Sequence, residues 1–117
     1  MGTFICYPKC STCKKAEKWL QEHGISYELR DIRLQNPDRS ELAAWYEKSG
    51  LELKRFFNTS GNIYKEQKLK DRLPAMSEDE KLDLLSTDGM LVKRPIFVTE
   101  NCVLVGFKEK EWEEALL

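Results

Sequence analysis

The stretch "FICYPKCSTCKKA", residues 4–16, constrains the fold more than any other. An apolar, β-branched and aromatic run, "TFICY", is closed by Pro8, and an amphipathic run opens just past Cys10. Ala16, Trp19, Leu20 and His23 follow at three- and four-residue spacing, and Gly24 stops the pattern. The segment therefore reads as a buried strand feeding a helix from Ser11 to His23. "SYELRDI" then alternates as a second strand, with Tyr27, Leu29 and Ile32 expected inward. Strand, helix, strand implies a parallel pair.

The middle of the chain is helical. Asn36 is the expected cap of the next helix, with Pro37 in its first turn. Leu42, Trp45 and Tyr46 form its inner stripe, and Gly50 ends it. A short helix, a turn at Ser60-Gly61 and a further helix start follow. Ser77 and Glu80 spell a capping box ahead of Leu82, Leu84 and Leu85, and Asp88-Gly89 turns the chain. "PIFVT" and "CVLVG", joined by Glu100-Asn101, read as an antiparallel hairpin. A closing helix over 108–116 is expected to bury Trp112, Ala115 and Leu116.

The expected architecture is one α/β domain over 1–117, with a mixed four-stranded sheet and a helical insertion over about 36–88. This is the element order of a thioredoxin-like fold. Lys and Arg total 19 against 20 Asp and Glu, and the positive residues are scattered, so no direct nucleic-acid partner is expected. No apolar run reaches the ~18 residues of a membrane span, and no signal peptide is legible. The expected location is cytoplasmic, where closely spaced cysteines serve catalysis or metal binding rather than bridges.

Three of the four cysteines, Cys6, Cys10 and Cys13, are spaced C-x-x-x-C-x-x-C. An iron–sulfur loop of that spelling must be free to wrap a cluster. Cys6 instead lies within a strand and shares a face with Phe4, so it reads as a small buried hydrophobe pointing away from the loop. A structural zinc site needs two ligand pairs. The remaining donors, Cys102 and His23, do not converge, since His23 lies ~15 Å along the helix from Cys13 at 1.5 Å per residue. No metal is expected.

A redox centre fits better. Cys10 falls at a helix N-terminus, where free N–H groups and the dipole favour a thiolate. Lys9, Lys14 and Lys15 add positive potential. Cys13, one turn on, is within reach of a disulfide with Cys10. Arg94-Pro95, just before the third strand, is expected to face the cysteine loop, with Arg94 presenting a cationic fork to an oxyanion or carboxylate.

With these residues in place, the chain resembles the ArsC/Spx/YffB family of arsenate reductase-like proteins. The markers are "YPKCSTCKKA", "NTSGNIYKE", "RPIFVT" and "VLVGFKEKEWE", in that order. The resemblance implies a thioredoxin-like fold with a helical insertion. Reductases of the family use one cysteine, matching Cys10, and three arginines that hold the oxyanion, of which Arg94 matches one. Asn58 or a neighbour in "NTSGNIY", and Gly106, stand where the others are expected. The pair Cys10 and Cys13 is similar to the redox switch of the Spx branch, whose members bind RNA polymerase. Spx carries a further basic stretch after the final helix, whereas this chain ends at Leu117 after "EWEEALL". The resemblance thus implies a thiol–disulfide oxidoreductase in which Cys10 and Cys13 are catalytic. Arg94, Pro95 and Lys14 would border a small thiol or oxyanion substrate. No cofactor would be bound, and glutathione–glutaredoxin or thioredoxin would supply electrons. The other reading is a redox-sensing regulator that binds RNA polymerase.

Overall fold

A computed structural model describes residues 2–117. The chain runs β1 (Gly2–Cys6), α1 (Ser11–Glu22), β2 (Tyr27–Asp31), α2 (Arg39–Ser49), α3 (Asn62–Glu66), α4 (Leu69–Arg72), α5 (Glu78–Leu85), β3 (Ile96–Val98), β4 (Val103–Val105) and α6 (Glu109–Leu116). Short 3-10 turns at Leu53–Phe56, Leu73–Ala75 and Gly89–Leu91 link the insert. The sheet order is β2-β1-β3-β4, with β1 parallel to β2 and antiparallel to β3, and β3 antiparallel to β4. This is the expected mixed sheet, with α2 to α5 inserted between its two halves. No helix among the described residues is long and apolar enough to cross a membrane.

The pleat divides the core in two. Phe4, Cys6 and Phe97 face α1 and α6, where Trp19, Leu20 and Trp112 complete an aromatic layer. Ile5, Ile96, Val103 and Val105 face the insert and meet Leu42, Trp45, Phe56, Leu85 and Leu91. Trp112 is fully buried, stacks on Phe97 at 5.6 Å, and donates its indole N–H to the Gly106 carbonyl at 3.0 Å. Gly106 has φ +74°, a conformation costly to any residue with a Cβ. Gly89 closes the insert against the end of β2, and a Cβ there would overlap the Ile32 carbonyl oxygen.

Several expectations need correction. Leu29 is 59% exposed rather than inward, because β2 is an edge strand and the aromatic layer gathers over β1 and β3. The cap of α2 is Asp38, not Asn36, and Pro37 therefore precedes the helix. The Asp38 carboxylate accepts the Glu41 N–H, and the Glu41 carboxylate accepts the Asp38 N–H, a reciprocal box that Asn36 cannot form from two residues upstream. Asn36 instead donates its side-chain N–H to the Ser86 carbonyl at 2.9 Å, tying α2 to α5. Ala115 is exposed, since α6 rotates Trp112 fully inward and carries Ala115 to its flank. The Ser77–Glu80 capping box forms as expected.

Candidate active site

The site grows from the exit of β1. After Cys6 the chain turns through Pro8, with the Cys10 N–H donated to the Tyr7 carbonyl at 2.9 Å. Cys10 is the N-cap of α1, in extended backbone at φ −87° and ψ 123°, and its carbonyl accepts the Lys14 N–H at 3.1 Å. Its side chain makes no capping hydrogen bond. The half-buried sulfur therefore stands where a capping oxygen would, beside the free N–H groups of the first turn. A negative charge at that place meets the positive end of the helix dipole.

Cys13, one turn further in, is almost wholly buried. Its sulfur accepts the Tyr7 N–H at 3.4 Å and packs in the same buried layer as Cys6, with Cys10 against that layer. The neighbouring Cys6 thiol, with burial next, pushes the Cys13 thiol far above its ordinary range. The same neighbour draws Cys6 down, since a protonated Cys13 beside it favours charge on Cys6. Cys6 is buried, as expected, but it does not point away from the loop. The first turn of α1 crosses the end of β1, so the pleat that carries Phe4 inward also brings Cys6 against Cys13. Residue spacing indicates the face of Cys6 but not the crossing that brings it beside Cys13.

Arg94 reaches the same place from β3. Its peptide bond to Pro95 is cis. The guanidinium lies over the Tyr7 ring at 5.2 Å and donates to the Met90 carbonyl at 3.5 Å. The Arg94 Nε–H is buried without a partner. Pro95 is buried behind it, its carbonyl accepting the Gly106 N–H at 2.8 Å.

Cys10 and Arg94 open on one pocket of about 580 Å³, which Thr12, Asn58, Asn62 and Lys93 also line. Its lining holds two cations and no carboxylate. The structure brings Cys10, Cys13 and Arg94 together. It keeps Pro95 one layer beneath, and leaves Lys14 on the exposed side of α1, outside the lining. Tyr7, Thr12, Asn62 and Lys93 were not foreseen. The "NTSG" turn, which folds Asn58 back through its carbonyl onto the Gly61 N–H at 3.1 Å, was the available signal for the insert's share of the wall. Among the described residues no three His, Cys, Asp or Glu side chains are grouped to hold a metal ion.

The ArsC family profile matches residues 6–115. The uncharacterized protein YusI of Bacillus subtilis is 57% identical, over 96% of this chain and 95% of its own length. A crystal structure of an ArsC family related protein from Bacteroides fragilis superposes with a TM-score of 0.95 at 57% identity, covering 97% of this chain and 95% of that one. The global transcriptional regulator Spx of Enterococcus faecalis is 32% identical over 95% of this chain and 83% of its own.

Proposed function

The chain belongs to the ArsC family, and from that premise we propose that it is a thiol–disulfide oxidoreductase working through Cys10 and Cys13. The observation that carries the reading is the asymmetry of the two sulfurs. Cys10 opens on a cationic pocket at a helix N-terminus, and Cys13 is buried and held protonated directly beneath. An attacking thiol needs access and an easily formed thiolate, whereas a resolving thiol needs only proximity.

The Cys10 thiolate attacks one sulfur of a small disulfide, and the far sulfur leaves as a thiolate. Cys13 then attacks Cys10 Sγ in the mixed disulfide. The second thiolate leaves with the proton that Cys13 gives up, and Cys10–Cys13 closes as a disulfide. The substrate has gained two electrons, and a thioredoxin- or glutaredoxin-type dithiol returns the pair to its reduced form. Arg94 orients an anionic group of the substrate beside Cys10. With Asn58 and Gly106 in place of two arginines of the resembling reductases, arsenate is held by fewer cations than in those enzymes.

The identity to Spx supports a second reading, in which oxidation of the same pair changes a surface that binds RNA polymerase. One experiment separates the two. Arsenate and several low-molecular-weight disulfides are offered with glutathione–glutaredoxin and with thioredoxin. The enzyme reading expects turnover that Cys10→Ser abolishes. Absence of turnover with every pair, together with redox-dependent retention on RNA polymerase, would establish the regulator instead.

A further inference from the structure

Beside the Cys10 pocket lies a second groove of about 460 Å³, lined by Arg55, Lys93, Arg94 and Lys108 with Thr12 and Phe107. Thr12, Lys93 and Arg94 line both spaces, so the groove continues the pocket away from Cys10. Four cations and no carboxylate border it. The ion pairs among the described residues join Arg30 to Glu41 and Arg39 to Asp79 and Asp83, and none neutralises these four. Four like charges around one concavity repel one another, and an anion relieves that repulsion. The buried Arg94 Nε–H without a partner is a second unmet demand in the same wall.

The groove is assembled from three separate parts of the chain. Arg55 comes from the 3-10 turn after α2, Lys93 and Arg94 from the approach to β3, and Lys108 from the cap of α6. Gly106 gives the floor its shape. The Lys93 stem passes so close that a Cβ on Gly106 would lie 3.3 Å from Lys93 Cε. At the position where the resembling reductases are expected to carry an arginine, this chain thus has a bare backbone with a lysine laid across it.

We infer that this groove binds the carboxylate-bearing tail of the small thiol or disulfide whose sulfur reacts with Cys10. The inference rests on the oxidoreductase reading for its biological meaning, but the groove can be tested without turnover. The planar forks of Arg55 and Arg94 match a carboxylate, and Lys93 and Lys108 supply point charges on either side. The substrate class is then an anionic low-molecular-weight disulfide, preferred over a neutral one of the same sulfur reactivity.

The test compares two chromogenic disulfides that differ in charge, dithiobis-nitrobenzoate with its carboxylates and uncharged dithiodipyridine. Each is supplied in limiting amount, and peptide mapping reports the sulfur attacked. The chain is compared with Arg55→Gln/Lys108→Gln, whose positions are exposed and outside the Cys10 pocket. An exposed charge pair is worth up to ~1 kcal/mol, so the double variant should react about threefold to tenfold more slowly at Cys10 with the carboxylate reagent. The neutral reagent should change less than twofold, and high salt should erase the difference in the parent chain. Equal losses with both reagents, or an unchanged rate with the carboxylate reagent, would overturn the groove assignment. A chain that shows the charge preference yet turns over no disulfide would overturn the oxidoreductase reading while leaving the groove in place.

Discussion

Cys6 and Cys13 pack side by side in the buried layer between β1 and α1, under the half-buried Cys10. The pair gives Cys13 a neutral resting state. Removing Cys6 should therefore release Cys13. In a Cys6→Ala chain, with Cys10 also replaced by Ser, Cys13 should alkylate at lower pH than in Cys10→Ser alone. The sign follows from the direction of the shift: the Cys6 neighbour raises Cys13, so its loss lets the thiolate form earlier as pH rises. An unmoved pH profile would mean that burial alone holds the proton.

Arg94 is predicted to act through its fork rather than its charge alone. It stacks on Tyr7 and keeps an unpartnered Nε–H in the wall, and a lysine reproduces neither. Arg94→Lys should lower kcat/KM for an anionic disulfide about tenfold, the effect of losing one charge-assisted hydrogen bond of ~1.5 kcal/mol. Stopped-flow rates for the parent and variant check this, and parity between them would remove Arg94 from substrate binding.

The layer between β1, β3, α1 and α6 depends on Trp112. Its complete burial and its indole hydrogen bond to Gly106 place Trp112→Ala among large core truncations, at about 3–5 kcal/mol. Because Gly106 and Phe107 border the basic groove, the variant should also lose the preference for the carboxylate reagent. Urea denaturation with the labelling assay reads both effects, and a loss below about 1 kcal/mol would contradict the packing account.

Glu41 links acid stability to the entry of the insert. Arg30 grips it through two hydrogen bonds at 2.6 and 2.8 Å, and this chiefly holds its carboxyl below the ordinary carboxylate range. A depressed folded-state value means stability present above the unfolded-state titration and lost as pH falls through the folded one. Glu41→Gln should cost about 1 kcal/mol at neutral pH, discounted for the partial exposure of the pair, and should flatten the acid limb of the stability curve. A parallel displacement of the whole curve would show that the charge is not the cause.

Much of this arrangement is legible from residue spacing. The β1–α1 switch at Cys10, the Ser77–Glu80 box and the hairpin of β3 and β4 are local patterns, and local patterns survive folding. The exposure of Leu29 depends on β2 being an edge, which alternation alone does not reveal. The contact of Cys6 with Cys13 depends on the angle at which α1 crosses β1. The groove of Arg55, Lys93 and Lys108 unites segments far apart in sequence, and no window of the chain shows three scattered cations converging.

The measurement closest to the central claim is disulfide mapping after mild oxidation with a small disulfide. The half-buried Cys10, which opens on the pocket, and the buried Cys13 beneath it should be found joined in one bridge, with Cys6 and Cys102 still free thiols. Replacing Cys13 by Ser should leave the first attack intact and trap the small thiol on Cys10. A bridge between Cys6 and Cys13 with Cys10 unmodified would contradict the account, since the reaction would then have entered through the buried pair.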